Sequence, residues 1–192
     1  MPHVITIFGS GTCDPSDPSY RLAFQLGRAI AEAGWTLCNG GYAGTMEAAC
    51  RGAVEAGGHT IGVTCRIPPW TEAPNRWVRQ EIPTFDLLSR LNTLVRLSDG
   101  FVALPGGTGT LLELALVWEL LNKGLLPRPV PFVLLGAHWR PVVEMVRRAQ
   151  PSAPELNIAQ DVPAAINLLR GGLDSSDPAA PGPPADFRDP GW

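Results

Sequence analysis

The sequence predicts an α/β domain built on a parallel, doubly wound sheet. Three observations lead there. Short β-branched and aromatic runs alternate with amphipathic stretches of helical spacing. The runs end in glycine-rich turns. The spacing between runs leaves room for one crossover helix each, which covers both sheet faces. With 192 residues, 45% of them hydrophobic, the chain suffices for one such domain and is short for two.

Val4-Ile5-Thr6-Ile7-Phe8 reads as a buried strand that stops at Gly9-Ser10-Gly11. Tyr20 to Ala33 follows as a helix carrying Leu22, Leu26, Ala29, Ile30 and Ala33, with Gly34 placed to end it. Trp35-Thr36-Leu37-Cys38 is a second strand, leading into Asn39-Gly40-Gly41-Tyr42-Ala43-Gly44 and a small-residue helix to about Ala56. His59 to Thr64 is the third strand. Residues 65 to 84 show no period and contain Pro68, Pro69, Pro74 and Pro83, so they read as a long loop of the functional kind. Trp70 and Trp77 within it would either stack on a base or pin the loop to the core.

Asp86 to Leu97 is a helix with Leu87, Leu88, Leu91, Leu94 and Val95 on one stripe. Gly100 to Leu104 is the fourth strand, closed by Pro105-Gly106-Gly107, and Thr110 to Leu121 a strongly apolar helix. Pro131 to Leu135 is the fifth strand, and Val142 to Ala149 and Val162 to Leu169 are helices. The domain is expected to span residues 1–171. Residues 172–192, rich in Pro, Gly, Ala and Asp, are expected to be a disordered tail.

Composition narrows the function. A net charge of −3 lacks the basic excess of a nucleic-acid binder. No apolar run reaches the ~18–20 residues of a membrane span. The N-terminal residues lack a leader pattern, and Cys13, Cys38, Cys50 and Cys65 match neither a zinc nor a redox spacing, so a reduced, cytoplasmic setting is expected. His3, His59 and His138 form no ligand pair, and no metal and no cofactor are expected. Lys123 is the only lysine; it precedes Gly124 at a helix end, where a solvated cation fits better than a Schiff-base lysine of a pyridoxal-phosphate decarboxylase.

Two glycine clusters sit where strands give way to helices: Gly40-Gly41-Tyr42-Ala43-Gly44 and Gly106-Gly107-Thr108-Gly109-Thr110. Glycines let an anion approach the backbone, and the free N–H groups and dipole of the next helix favour it there. Gly9 and Ser10 end a strand at the same edge. Neither cluster is a Walker A loop or a GxGxxG fingerprint, so a mononucleotide or sugar phosphate suits them better than ATP or NAD. Glu113 has two readings from spacing alone. Thr110-Leu111-Leu112-Glu113 has the spacing of a capping box, and a carboxylate one turn beyond a phosphate cradle could serve glycosidic chemistry. Arg90 lies at the edge of its helix's apolar stripe, able to reach a pocket while its stem packs, or to form a surface ion pair.

The stretch Pro105-Gly106-Gly107-Thr108-Gly109-Thr110-Leu111-Leu112-Glu113 matches the signature PGGxGTxxE, and Gly40 to Met46 is similar to the GGxxGxM motif before it. Together they resemble the lonely-guy (LOG) family of nucleoside 5′-monophosphate phosphoribohydrolases over about Val4 to Leu135. The resemblance implies a Rossmann-like homodimer that splits a purine (cytokinin-type or AMP-like) nucleoside 5′-monophosphate into free base and ribose 5-phosphate. It also implies a catalytic pair, Arg90 and Glu113, beside the phosphate- and nucleotide-binding set that the glycine-rich strand ends themselves suggest: Gly9, Ser10, Gly40, Gly41, Gly44, Gly106, Gly107, Thr108, Gly109 and Thr110. The chain departs from the family at Leu91, where a lysine is common, at Glu47, often glycine, and at Thr108, often tyrosine. A sister group with the same fold, similar to molybdenum-cofactor carrier proteins, supplies the alternative of a carrier without turnover. A nucleic-acid-processing scaffold on this fold is the third reading, opposed by the charge.

Overall fold

The computed structural model describes residues 2–66, 73–126 and 130–175. Its core is one seven-stranded, wholly parallel sheet. In chain order the elements are β1 (Val4–Phe8), α1 (Pro18–Glu32), β2 (Thr36–Asn39), α2 (Thr45–Glu55), β3 (Thr60–Cys65), β4 (Gln80–Thr84), α3 (Leu87–Leu97), β5 (Gly100–Ala103), α4 (Thr108–Asn122), β6 (Phe132–Leu135), α5 (Arg140–Ala149), β7 (Asn157–Ala159) and α6 (Val162–Asp174). The strand order is β4-β3-β2-β1-β5-β6-β7. The chain winds outward one way from β1 and returns to start the other half at β5. The reversal lies between β1 and β5, where Ile5 pairs with Gly100 and Phe8 with Ala103. In open α/β sheets that switch point opens a crevice at the carboxyl ends of the strands.

Both faces of the sheet are covered, so its central strands are apolar on both sides, as a parallel sheet requires. Ile5, Ile7, Leu37, Val102 and Leu135 pack with residues of α1, α2 and α6. Phe8, Cys38, Phe101, Ala103 and Leu134 pack with residues of α3, α4 and α5. α1 and α2 approach backbone to backbone: a Cβ at Gly27 would stand 2.0 Å from the Ala49 carbonyl oxygen, and one at Gly52 would stand 2.1 Å from that of Phe24. That contact sets where α2 begins relative to β1.

Both edge strands escaped the periodicity analysis. β4 falls inside the segment read as a loop. Its Gln80-Glu81-Ile82-Pro83-Thr84 is largely exposed, and Pro83 is tolerated because β4 pairs on one side only, with β3. β7 has three residues, too few for a pattern, and is held by β6. α6 runs past the expected boundary at 171 to Asp174, and Leu173 is buried in the core. The expected tail from residue 176 onward, and Trp70, lie outside the described residues.

Candidate functional site

At the switch point a cleft of about 310 Å³ opens between the end of β1, the β2–α2 turn and the start of α4. Of the residues singled out in the sequence, Gly9, Ser10, Gly40, Arg90, Gly107, Thr108, Gly109, Thr110 and Glu113 line it together. Gly41, Gly44 and Gly106 stand behind the lining and shape it. Gly41 lies against Gly62 of β3, and Gly44 against the Ser10–Gly11 backbone. Gly106 gives its side-chain space to the Thr110 hydroxyl. Sequence reasoning missed Gly11, Thr12 and Met46, which also line the cleft. Their position just after a strand end and at a helix start was the available signal. A larger surface groove of about 430 Å³ along α5, lined by Val143, Glu144, Arg147, Arg148 and Pro151, holds neither a glycine loop nor a paired buried acid.

The cleft takes its polarity from two helix starts that no side chain caps. α1, α3 and α6 are capped by Asp17, Asp86 and Asp161, whereas α2 and α4 begin at Gly44 and Gly107 with no side-chain bond. The first N–H groups of α4 therefore face the cleft unclaimed by a cap, at the positive end of the helix dipole. α2 differs in two ways: the Thr45 N–H and hydroxyl both bind the Ser10 carbonyl, at 2.8 and 2.9 Å, and Glu47 places a carboxylate in its first turn. α4 has no acid in its first turn, which makes it the better anion seat. The loop before it is held from behind, where the Trp139 indole donates to the Leu104 carbonyl at 2.9 Å. A ring nitrogen of His138 lies 3.2 Å from the Gly106 carbonyl.

Arg90 and Glu113 meet inside the cleft, Nη1 to Oε1 at 3.5 Å, with side chains only 11% and 12% exposed. The pair is thus no surface salt bridge. Arg90 is fixed by its Nε, which donates to the Val63 carbonyl at 2.9 Å, and its guanidinium lies 5.8 Å from the centre of the Tyr42 ring. Its terminal nitrogen rests on Gly40, where a Cβ would come within 1.7 Å of it. Burial pushes the Glu113 carboxyl up to about 7, against a downward pull from the Arg90 charge. A carboxyl poised there exchanges a proton near neutral pH.

The capping-box reading of Glu113 does not hold. α4 starts at Thr108, two residues earlier than the spacing suggested, so Thr110 is already inside the helix and its hydroxyl is turned to Gly106. Lys123 is the exposed residue that caps the C-terminus of α4, paired with Glu119 at 3.6 Å and at the opposite end of the helix from the glycine loop, as its position implied. Trp77 is half-buried against the core, with the Arg51 and Arg76 guanidinium groups 6.0 and 4.8 Å from its ring centre, so it pins rather than lines the cleft. Cys38 and Cys50 are buried thiols, pushed up to about 12 and about 11 by desolvation. Among the described residues, no group of three or more His, Cys, Asp or Glu gathers as a metal site, and no helix is long and apolar enough to cross a membrane.

Comparison with known proteins agrees with the resemblance read from the glycine motifs. The model of the SLOG cluster4 family matches residues 2–126. The cytokinin riboside 5′-monophosphate phosphoribohydrolase of Mycobacterium tuberculosis is 35% identical over 119 residues, which cover 62% of this chain and 64% of that protein. The enzyme of the same name from Rhodococcoides fascians is 26% identical over 181 residues, 88% of this chain and 90% of its own. Among solved structures, the molybdenum cofactor carrier protein of Chlamydomonas reinhardtii superposes with a TM-score of 0.74 at 30% identity, covering 91% of this chain and 99% of its own. DNA processing protein A of Helicobacter pylori, at 18% identity and a TM-score of 0.60, shares the fold alone.

Proposed function

The chain belongs to the SLOG cluster4 family, and from that premise we propose that it is a phosphoribohydrolase. It would cleave the N-glycosidic bond of a purine nucleoside 5′-monophosphate to free base and ribose 5-phosphate. The observation that carries the reading is the buried Arg90–Glu113 pair at 3.5 Å, set in the cleft beside the open start of α4. The names of the M. tuberculosis and R. fascians relatives support the same chemistry.

In this reading the 5′-phosphate sits on the N–H groups of Gly107 to Thr110, with the Thr108 hydroxyl beside them. The ribose then lies toward Glu113. As the C1′–N bond lengthens, its electron pair leaves with the base and positive charge builds on the sugar. The Glu113 carboxylate stabilises that charge and accepts a proton from the water that adds to C1′, and this proton then passes to the nitrogen of the departing base, which restores the carboxylate. Arg90, immobilised on Val63 and Gly40, keeps part of the Glu113 population ionised and presents a second face to ribose hydroxyls. No cofactor is needed for these steps. We place the enzyme in the cytoplasm, acting as a homodimer, without nucleic acid or membrane as partner.

The carrier reading has its own support in the extent of the match to the Chlamydomonas carrier. One experiment separates the two: incubation with a panel of nucleoside 5′-monophosphates, followed by chromatography for free base and ribose 5-phosphate. Release of base by the wild type, reduced by about 100-fold or more in Glu113→Gln, is expected. Tight nucleotide binding without release of any base would overturn the hydrolase in favour of a carrier.

A further inference from the structure

The Val63 carbonyl anchors Arg90 at Nε, and the turn beneath it sets where its terminal nitrogens rest. That turn runs from Gly40 to Met46, with Gly41 and Gly44 at φ +77° and +67°, and glycine-rich backbone has no stiffness of its own. Asn39, the last residue of β2, is fully buried and supplies the stiffness. Its Oδ1 accepts the Gly41 N–H at 2.8 Å. Its Nδ2 donates to the Met46 carbonyl at 3.0 Å and lies 3.3 Å from the Cys50 sulfur. From the outer side, Asn75 closes the same turn. Its N–H reaches the Gly41 carbonyl at 2.7 Å, and its Nδ2 reaches the Gly41 and Tyr42 carbonyls at 2.9 Å each. The turn is clamped at both ends by Asn39 and over its middle by Asn75.

Neither asparagine lines the cleft. What they fix does. Gly40 is the floor on which the Arg90 guanidinium rests, and the Met46 sulfur packs against the same point. Floor, guanidinium and carboxylate form one stack, from Gly40 through Arg90 to Glu113. A fully buried polar residue that ends a strand and uses both ends of its amide on one turn is a costly choice unless that turn must not move.

We propose that Asn39 is a positioning residue for the Arg90–Glu113 pair, acting through its clamp on the Gly40–Met46 turn. It rests on the reading of the cleft as a hydrolase site, and it has a readout that does not depend on turnover. If the floor sags, the terminal nitrogens of Arg90 swing with it about the Nε anchor on Val63, and their hold on the Glu113 proton weakens. A widening from 3.5 Å to about 5 Å, at an effective dielectric of about 20, raises the Glu113 midpoint by about one pH unit. At pH 7 the ionised fraction then falls about fivefold, and kcat with it. KM for a nucleoside monophosphate should change less than about twofold, because the α4 loop is untouched.

The test follows Glu113 by carbon NMR of the full chain labelled at the glutamate side-chain carboxyl, with Glu113→Gln assigning the signal. Wild type is compared with Asn39→Ala and Asn39→Ser, and kcat and KM are measured on AMP at pH 6 to 9. An upward shift of the midpoint, with kcat at pH 7 reduced and KM held, is the expected result. A folded Asn39 variant whose midpoint matches the wild type overturns the proposal. If neither Asn39 variant folds, Asn75→Ala releases the same turn from its half-buried side, and an unchanged midpoint there overturns it equally. A wild type that hydrolyses no nucleotide sinks the hydrolase reading, while the titration still decides the role of Asn39.

Discussion

Glu113 should make the whole protein less stable as the pH rises, and the size of the effect follows from its burial. In the unfolded chain its carboxyl titrates near the ordinary 4.5, whereas in the cleft it titrates at about 7. The folded state therefore binds more protons than the unfolded state between those values. Stability is greatest below about 4.5, falls as the pH climbs through the window, and levels off above about 7. Each unit of difference is worth about 1.4 kcal/mol, so between pH 5 and pH 8 the residue withdraws about 2–3 kcal/mol. The side chain is only 12% exposed, so solvent screening leaves most of that intact. Glu113→Gln keeps the shape and removes the proton. Urea unfolding of both proteins at pH 5, 6, 7 and 8 isolates the residue, because every other titrating group cancels in the difference. The variant should match the wild type near pH 5 and exceed it by about 2–3 kcal/mol at pH 8. Parallel stability curves across that range would refute the buried, proton-exchanging carboxyl.

Phosphate should dominate nucleotide affinity, since the uncapped α4 start is the anion seat; calorimetry should find AMP bound far more tightly than adenosine, and comparable affinities would contradict it. Leu88 and Leu112, 76% and 43% exposed, flank an apolar groove between α3 and α4 that also includes Leu91, Val95, Leu116 and Leu120. We expect a second copy to cover it, so sedimentation should give a dimer at micromolar concentration and Leu88→Arg a monomer; a monomeric wild type would end that expectation. Gly40→Ala forces a methyl into the Arg90 guanidinium and should lower stability by about 1–3 kcal/mol. Denaturant unfolding checks it, and an unchanged midpoint would mean that Arg90 does not rest there.

Much of this site was legible because its chemistry coincides with strand ends. Gly9, Gly40 and Gly107 each follow an apolar run, and a doubly wound sheet gathers such ends at one crevice. Arg90 was legible as an edge residue, but its burial was not. Nothing in the helix period says that a carbonyl of β3 and a glycine of the β2–α2 turn will receive a guanidinium. Glu113 was ambiguous because three-residue spacing serves both a cap and a helix interior, and only the start of α4 at Thr108 decides between them. The edge strands were hidden for a different reason. β4 is half solvent-facing and contains a proline, so neither alternation nor apolar run marks it. Asn39 left one trace, a lone polar side chain between Cys38 and the glycine pair, which invites a reading as turn chemistry rather than as a buried clamp.

The choice between hydrolase and carrier turns on what Glu113 does to an anion. A site meant only to hold a phosphorylated ligand gains from every donor and loses from any carboxylate near it. Here the carboxylate is inside the cleft, desolvated, and set against Arg90, whose charge it partly cancels. A binder would do better with glutamine at 113: Arg90 would be free to meet the ligand, and the stability lost above pH 5 would return. Retaining an acid there is sensible if its charge matters at the moment a cation forms on the sugar, because the interaction that weakens ground-state binding of the anion then strengthens in the transition state. The consequence is a signed test. Glu113→Gln should bind AMP at least as tightly as the wild type in calorimetry at pH 8, while turning it over about 100-fold more slowly. Weaker binding together with slower release would mean that Glu113 holds the ligand directly, and the division of labour between the α4 seat and the acid would have to be abandoned.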